Sequence, residues 1–342
     1  MKKILLVASP YMGLYRDIQK GLEELGFYVE LIIEKTFPNN PYKILYRKPS
    51  AKQISEFQKV LFNYWKSILD NRSSDDLFFD YLLVINGLTI HQYLFDKLRE
   101  VNKNIKACNY IYDRIKGVYQ IDHNFKFYNR IFTFDRENVR EYGLTLLPIY
   151  WIPEKEKLEN HYDVFAFGAA DQIRIPIFKR IKKLSDGAKL NSFIKVYHLK
   201  VDNVFLYSMK RVIKYVFQKR KSPSLRELKT DFYTSESMPT ELFRKYINSS
   251  TVIVDTNHPY QDGLTARFMW ALGIGNKIIT NNFNISKYDF YSKEQILVLD
   301  NTTTDEEILS FIKSSSQVPQ DVISRVNRYR IDNWLKTILE IS

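Results

Sequence analysis

The first half of the chain alternates short apolar runs with segments whose apolar residues recur at helical spacing. Short apolar runs predict buried strands, and strands separated by helices predict a parallel sheet with helical crossovers. A helix is expected from Tyr15 to Leu25. The expected strands run from Ile4 to Ala8, Tyr28 to Ile33, Tyr81 to Ile85, Ala107 to Tyr112, Arg130 to Phe134 and Thr145 to Tyr150.

A longer segment interrupts this alternation between residues 36 and 71. It contains Pro38, Pro41 and Pro49, and from Ala51 to Leu69 its apolar residues have helical spacing. The pattern predicts a long helix inside an insertion. Insertions of this kind at the top of a Rossmann-like sheet often shape a substrate cleft.

The charged stretch from Glu154 to Lys157 predicts the link between two domains, and a second alternating series follows it. We therefore expect an α/β protein with two Rossmann-like domains, residues 1–153 and 154–342. In the second series we expect strands from Tyr162 to Phe167, Thr251 to Asp255, Lys277 to Thr280 and Ile296 to Leu299, a helix from Ile173 to Leu184, and one helix or two from Gln320 to Ile341, the last packing back on the first domain.

Composition narrows the class and the compartment. The formal net charge of +12 favours attraction to polyanions, namely nucleic acid, anionic lipid or phosphate-bearing substrates. The single cysteine, Cys108, excludes an intrachain disulfide and fits a reducing compartment. The first apolar run is too short for an export signal, and no window approaches the roughly 20 apolar residues that span a bilayer. We expect a cytoplasmic protein, soluble or peripheral at the inner face of the cell membrane.

Basic residues are concentrated between Lys195 and Lys221, where eight Lys or Arg accompany one acid, Asp202. Residues 204–221 are amphipathic, which suits either an anionic membrane surface or a helix that packs on the core with a solvated basic side. A nucleic-acid-binding protein is a further alternative. Only charge supports it, because the sequence has no RNA-binding aromatic motif, zinc-ligand spacing or helix-turn-helix pattern.

The densest chemical signal is a strand ending at Asp255, a polar loop, Gly263, a helix, and a Gly-x-Gly turn into another strand. A helix that starts after Gly263 presents unpaired N–H groups and the positive end of its dipole, which can bind phosphate oxygens. Thr265 and Arg267 can add donors. The next strand delivers Thr280 and Asn282 to the same edge. The alternative is an ordinary turn that uses glycine for its backbone freedom.

This block resembles the donor side of GT-B glycosyltransferases, and more closely a group of bacterial lipopolysaccharide or capsule biosynthesis proteins. Similar segments run from Phe134 to Trp151, from Tyr162 to Ala170 and from Tyr288 to Tyr291. The positions that carry the resemblance are His258, Pro259, Gln261, Gly263, Leu264, Thr265, Arg267, Gly273, Gly275, Lys277, Ile279, Thr280 and Asn282.

The resemblance implies a GT-B fold, in which two Rossmann-like domains face a cleft and the second binds a nucleotide sugar. Donor-binding positions would be Gly168, Arg174, His258, Gln261, Gly263, Leu264, Thr265, Arg267, Thr280 and Asn282. Neither metal nor another cofactor is expected, because the sequence lacks metal-ligand clusters. One position departs from the pattern: Trp270 stands where many relatives place a glutamate that accepts hydrogen bonds from the donor ribose.

An inverting sugar transfer needs a base for the acceptor hydroxyl, and GT-B enzymes generally draw it from the first domain. Asp113, just beyond a predicted strand, is the first candidate, and His91 is the second; either residue can instead be a helix cap. The predicted function is glycosyl transfer from a nucleotide sugar to a glycan or lipid-linked acceptor in surface polysaccharide synthesis. A non-catalytic relative that binds nucleotide or glycan is the main alternative.

Overall fold

Two structural units divide the chain in the computed structural model, which describes residues 1–37, 40, 49–115, 121–153, 161–209, 222–257, 262–315 and 318–341. Unit 1 comprises Met1–Tyr150, Gln261–Leu264 and Arg328–Ser342. Unit 2 comprises Trp151–Tyr260 and Thr265–Asn327. The sequence placed the link at residues 154–157, which lie outside the described ranges.

Each unit contains a six-stranded sheet in which all paired strands are parallel. The first sheet consists of β1 (Lys3–Ala8), β2 (Tyr28–Ile33), β3 (Tyr81–Ile85), β4 (Lys106–Ile111), β5 (Arg130–Thr133) and β6 (Thr145–Leu146). The second consists of β7 (Tyr162–Ala169), β8 (Ser192–Tyr197), β9 (Tyr233–Thr234), β10 (Ser250–Asp255), β11 (Lys277–Thr280) and β12 (Ile296–Val298).

Helices connect most of the strands. They are α1 (Leu14–Glu24), α2 (Ala51–Leu69), α3 (Gln92–Val101), α4 (Arg136–Tyr142), α5 (Arg174–Gly187), α6 (Thr240–Asn248), α7 (Ala266–Gly273), α8 (Asp305–Lys313), α9 (Gln320–Asn327) and α10 (Ile331–Leu339). Within the described ranges, no helix combines the length and the apolar character that crossing a bilayer requires.

The first sheet has the order β2-β1-β3-β4-β5-β6. Strands β1 and β3 lie inside it and are apolar along almost their whole length, because helices cover both faces of a parallel sheet. Helix α2 begins at a capping box of Ser50 and Gln53, and it contributes Trp65 and Leu69 to the core on one face. The predicted helix within the insertion is therefore correct, and its apolar side is core.

The second sheet has the order β9-β8-β7-β10-β11-β12. From β7 the chain moves outward to β8 and β9, then returns to the other side of β7 and continues through β10 to β12. The direction of winding reverses between β7 and β10. In open parallel sheets, ligands bind beyond the carboxyl ends of the strands at such a switch point.

The C-terminal helix α10 packs on the first sheet. The indole N–H of Trp334 donates to the carbonyl of Pro148 at 3.0 Å, and its ring contacts Tyr110 at 4.6 Å between centroids. Cys108 Sγ donates to the carbonyl of Ile338 at 3.3 Å. Burial raises the pKa of the Cys108 thiol to about 11, so the cysteine is a core residue without thiolate character at neutral pH.

One predicted strand needs correction, and the predictions omitted several elements of both units, β8 and α6 among them. The strand expected from Thr145 to Tyr150 ends at Leu146, because Pro148 has no N–H to continue the ladder. Strand β8 was missed because partly buried positions, including the polar Lys195, alternate with its buried apolar residues Ile194 and Val196. Helix α6 was missed because Pro239 precedes it without a side-chain cap. The C-terminal segment, predicted as one helix or two, forms two.

Two of the positions that carry the resemblance, Gly273 and Lys277, have structural roles in unit 2. A Cβ atom at Gly273 would lie 2.1 Å from the ring of Trp151, so only glycine fits there. Trp151 is fixed in turn by a 3.0 Å hydrogen bond from its indole N–H to the carbonyl of Val326. The ammonium of Lys277 donates to the carbonyl and hydroxyl of Ser314, each at 2.7 Å, and so caps the end of α8.

We expect Gly273→Ala to lower the free energy of unfolding by more than about 2 kcal/mol, because the methyl group displaces the Trp151 ring from a packed core. Urea unfolding followed by tryptophan fluorescence measures the loss. Gly187→Ala is the matched control, since a Cβ atom there meets nothing within 4 Å. Equal stability of the two variants would contradict this packing role.

Candidate functional site

A polar cluster occupies the switch point of the second sheet. Asp255 ends β10, and its carboxylate is almost fully buried. The hydroxyl of Thr265 donates to Asp255 Oδ2 at 3.0 Å, and Arg267 Nη2 lies 3.3 Å from Oδ1. Arg267 Nη1 also donates to the carbonyl of Phe167 on β7 at 2.9 Å. The guanidinium therefore bridges the two strands between which the winding reverses.

A second guanidinium belongs to the same cluster. Arg174 begins α5, and its Nε donates to the hydroxyl of Thr256 at 2.9 Å. Its Nη1 pairs with Asp171 Oδ2 at 2.9 Å. A Cβ atom at Gly168 would lie 2.7 Å from Arg174 Nε, so the glycine makes room for this side chain. Gly168 and Arg174 were both predicted as donor-binding positions, and the structure brings them into contact.

The charges in this cluster perturb one another. Burial lowers the pKa of Arg174, and the neighbouring Arg267 guanidinium lowers it further. Burial raises the pKa of the Asp255 carboxyl, while the ion pair with Arg267 opposes the shift. Two guanidiniums close enough to repel each other form a site in which a dianion would be favourable. Asp171, the carboxylate that pairs with Arg174, is partly exposed.

The start of α7 is organised differently from the expectation. Thr265 is the N-cap, and its hydroxyl accepts from the N–H of Phe268 at 3.1 Å while donating to Asp255. Gly263 and Leu264 belong to unit 1 and are buried. A Cβ atom at Gly263 would lie 2.4 Å from the ring of Phe134, so this glycine allows close packing. That the start of α7 faces a crevice shared by both domains stays a prediction.

Of the four remaining predicted donor-binding positions, the structure describes two, Thr280 and Asn282. Thr280 lies beside Asp255 in the sheet register, and its hydroxyl accepts from the N–H of Asn282 at 3.1 Å. Asn282 caps the short 3-10 helix Phe283–Lys287. Both polar side chains thus lie at or just beyond the carboxyl end of β11 and make local hydrogen bonds. His258 and Gln261 lie outside the described residues.

Trp270 is a buried packing residue. The Arg244 guanidinium stacks over its ring at 4.3 Å, and Ile152, Ile247 and Ile274 lie around them. The indole therefore fills the space between α7 and α6. A ribose would have to take its hydrogen-bond acceptor from another residue.

Asp113 lies at the carboxyl edge of the first sheet, two residues beyond β4. The side-chain amide of Asn86, just after β3, donates to Asp113 Oδ2 at 2.5 Å, and the amide oxygen accepts from the N–H of Tyr112 at 3.2 Å. Burial raises the pKa of the Asp113 carboxyl, and the hydrogen bond from Asn86 opposes the shift. A carboxylate with a raised pKa is better suited to accept a proton near neutral pH.

His91 is the N-cap of α3. Its Nδ1 accepts from the N–H of Tyr93 at 3.1 Å, and burial lowers its pKa. A neutral imidazole whose Nδ1 accepts carries its proton on Nε2, so the free nitrogen is a donor. This geometry favours Asp113 over His91 as the base.

Sequence reasoning missed two buried carboxylates, Asp255 and Glu34. Each follows or ends an apolar strand, a position at which an acidic residue signals the ligand-binding edge of a parallel sheet. Glu34 Oε1 accepts from the N–H and hydroxyl of Thr89 at 2.9 and 3.0 Å, and burial raises the pKa of Glu34 to about 7. Within the described part of the chain, no group of three or more His, Cys, Asp or Glu is placed to hold a metal.

Solved structures have a similar fold over almost the whole length of this chain. The N-terminal domain of trehalose-6-phosphate phosphatase from Candida albicans is 12% identical, with a TM-score of 0.57, over 99% of this chain and 96% of that one. The α,α-trehalose 6-phosphate synthase of Burkholderia multivorans is 10% identical, with a TM-score of 0.55, over 99% and 98%. AviGT4, a glycosyltransferase involved in avilamycin A biosynthesis, is 10% identical, with a TM-score of 0.53, over 99% and 96%.

The sequence of this chain matches no protein-family model and no curated protein. At 10–12% identity the structural likeness concerns the fold alone. The fold is the two-domain α/β fold of the GT-B type, as the sequence predicted.

The Glu34 carboxyl makes stability depend on pH. The pKa of Glu34 is raised from 4.5 to about 7, so its contribution to stability is fully present below about pH 4.5, decreases as the carboxyl of the unfolded chain ionises, and is lost once the pH has risen through 7. Glu34→Gln mimics the protonated acid. Its free energy of unfolding, compared with that of the unsubstituted chain, should therefore increase by about 3 kcal/mol when the pH is raised from 5 to 8. Urea unfolding at both pH values measures the gain.

Glu24→Gln, on the exposed side of α1, controls for the loss of one surface charge. A Glu34→Gln advantage that does not change with pH would refute the assignment.

Proposed function

We propose that this protein is a glycosyltransferase that moves a sugar from a nucleotide-sugar donor to a glycan or lipid-linked acceptor. The observation that carries the proposal is the pair of guanidiniums, Arg174 and Arg267, at the switch point of a sheet with dinucleotide-binding strand order. The GT-B fold and the resemblance to lipopolysaccharide and capsule biosynthesis proteins support an acceptor in bacterial surface polysaccharide synthesis.

The donor diphosphate is proposed to accept hydrogen bonds from both guanidiniums and to displace Asp171 from Arg174. As the bond between the sugar carbon and the diphosphate oxygen breaks, its electron pair stays on the diphosphate. Two fixed cations stabilise that developing charge, the role which a divalent metal has in other transferases. The proposal therefore includes transfer without a metal, and retention of activity in EDTA is its direct consequence.

Asp113 is proposed as the base. In an inverting transfer, the acceptor oxygen attacks the sugar carbon while its proton passes to the Asp113 carboxylate. The hydrogen bond from Asn86 orients this carboxylate, and its raised pKa improves it as an acceptor.

A second candidate function is nucleotide or glycan binding without catalysis. The observation in its favour is Trp270, buried under Arg244 where a ribose-binding glutamate is usual in the proteins that this sequence resembles. Binding of a nucleotide sugar without transfer or hydrolysis would identify this function. Salt-sensitive binding to generic RNA or DNA, with indifference to nucleotide sugars, would identify a nucleic-acid-binding protein.

We expect one of UDP, GDP, CMP or TDP, or its sugar conjugate, to raise the melting temperature of the purified protein. Arg267→Ala or Arg174→Ala should weaken this binding by about 10- to 100-fold, since each removes a charge-assisted contact to phosphate. Thermal shift titrations measure the affinities. Arg180→Ala on α5 is the matched control, because that guanidinium pairs with Asp305 at the surface. Equal weakening by all three substitutions would argue against a donor site here.

We expect Asp113→Asn to lower the rate of sugar transfer by about 100-fold or more, because the amide cannot take the acceptor proton. Nucleotide affinity should stay unchanged, since Asp113 does not bind the donor in this scheme. His91→Asn should keep most of the activity because asparagine is also a good N-cap. Transfer assays with the donor identified above decide between the two residues, and a slower His91 variant would exchange their roles.

A further inference from the structure

The loop 86–89, which directly follows β3, has an unusual backbone. Asn86 and Gly87 both lie in the left-handed region, with φ of 70° and 83°. Glycine adopts this conformation freely, whereas a residue with a side chain adopts it less readily and needs neighbouring groups to hold it there. The contacts made along this loop therefore determine where Asn86 lies.

Asn86 connects the loop to the proposed base. Its N–H donates to the carbonyl of Tyr110 at 2.8 Å, and its amide oxygen accepts from the N–H of Tyr112 at 3.2 Å. Its amide nitrogen donates to Asp113 Oδ2 at 2.5 Å. A shift of the loop would therefore move the hydrogen bond that the Asp113 carboxylate receives.

The far end of the loop is fixed by Glu34, which directly follows β2. Glu34 Oε1 accepts from the N–H and the hydroxyl of Thr89 at 2.9 and 3.0 Å. The indole N–H of Trp65, on α2, donates to the carbonyl of Thr89 at 2.8 Å. Thr89 thus has its N–H, its hydroxyl and its carbonyl engaged, and all three side chains are buried.

The Glu34 carboxylate faces more of the loop than Thr89 alone. The N–H groups of Gly87 and Leu88 oppose the rise in the pKa of Glu34, which indicates that they too face its carboxylate. The N–H of Glu34 donates to the carbonyl of Ala8, at the end of β1, at 2.9 Å, so the backbone of Glu34 is anchored in the sheet. A buried carboxyl is costly unless it makes hydrogen bonds, and here those bonds join β2 to the loop after β3.

We propose that Glu34 is a positioning residue for the base. Glu34 holds Thr89, Thr89 fixes the loop 86–89, and the loop places the Asn86 amide against the Asp113 carboxylate. The inference rests on the proposed role of Asp113, and Glu34 itself touches neither donor nor acceptor in this scheme.

Titration of the Asp113 carboxyl tests this link on the full chain without a substrate. Carbon-13 labelling of the aspartate carboxyls follows the titration by NMR, and Asp113→Asn identifies the signal. Glu34→Ala should raise the measured pKa of Asp113 by about 0.5 or more, because a displaced loop weakens the hydrogen bond that lowers it. Loss of the Glu34 charge alone would act in the opposite direction. Glu34→Gln removes the same charge but keeps an acceptor oxygen for Thr89, so it should not raise the pKa of Asp113.

A double-mutant cycle tests whether the effect passes through Asn86. Asn86→Gly removes the amide and tolerates the left-handed backbone. In that background Glu34→Ala should change the pKa of Asp113 little, because the hydrogen bond that it would displace is already absent. Thr89→Val cuts the same contact from the other side with little change of volume, and it should raise the pKa of Asp113 by a smaller amount. This variant decides the question if Glu34→Ala does not fold.

Asn102→Ala is the matched control. The Asn102 amide donates to the carbonyl of Phe79 at 2.9 Å on the amino side of the same sheet, so its loss removes a hydrogen bond of unit 1 away from the loop. It should leave the pKa of Asp113 unchanged. A rise equal to that of Glu34→Ala would overturn the positioning role, as would an unchanged pKa of Asp113 in folded Glu34→Ala.

Transfer assays add a kinetic readout. Glu34→Ala should lower kcat by about tenfold or more with the KM for the donor unchanged, since a misplaced base slows the chemical step, and Glu34→Gln should restore it. An unchanged kcat in a protein that transfers sugar would contradict the proposal. A parent protein that transfers no sugar refutes the proposed function instead, and the titration still decides whether Glu34 positions Asp113.

Discussion

Burial of the Asp255 carboxylate is the constraint around which unit 2 is arranged. A carboxylate in a nearly water-free environment needs a positive partner and hydrogen-bond donors, and Arg267 and Thr265 supply them. Removing one member of such a pair is costly because the other charge stays buried. The need to pair this carboxylate fixes the Arg267 guanidinium between β7 and β10. Thr265 both caps α7 and donates a hydrogen bond to the carboxylate. Arg174 joins the same cluster, so two guanidiniums meet where a parallel sheet binds its ligands.

Several positions of the resemblance serve structure in the part of the chain that the structure describes. Gly263 and Gly273 leave room for the rings of Phe134 and Trp151, respectively, and the ammonium of Lys277 caps the C-terminal end of α8. These roles account for residues that look functional in the sequence, because close packing and capping restrict residue choice as strongly as ligand binding does. Among the predicted donor-binding positions that the structure describes, Arg174 and Arg267 are the ones that carry a charge for a ligand. The proposed chemistry of unit 2 therefore rests on Arg174 and Arg267.

Much of the fold was predictable because its central strands are buried on both faces. Strands β1 and β3 contain uninterrupted apolar runs, β10 and β11 have apolar centres, and α2 has a clear helical period with a capping box. Strand β8 was not predictable in this way, because its partly exposed face mixes polar and apolar residues. Tertiary packing, and not local propensity, determines such elements.

The candidate site was predictable in part. Thr265 and Arg267 were found from a glycine-helix junction, Gly168 and Arg174 from the resemblance, and all four lie at the switch point. Asp255 was missed as a site residue because a buried counter-ion has no motif of its own. For His91, only the three-dimensional structure shows which ring nitrogen is engaged, since the hydrogen bond to Tyr93 fixes the tautomer.

The most direct test is a crystal structure with the nucleoside diphosphate that stabilises the protein best. The proposed donor site requires diphosphate oxygens within hydrogen-bond distance, about 3 Å, of both the Arg174 and the Arg267 guanidiniums, with Asp171 displaced from Arg174. A diphosphate bound elsewhere, with both arginines still paired to their carboxylates, would contradict it.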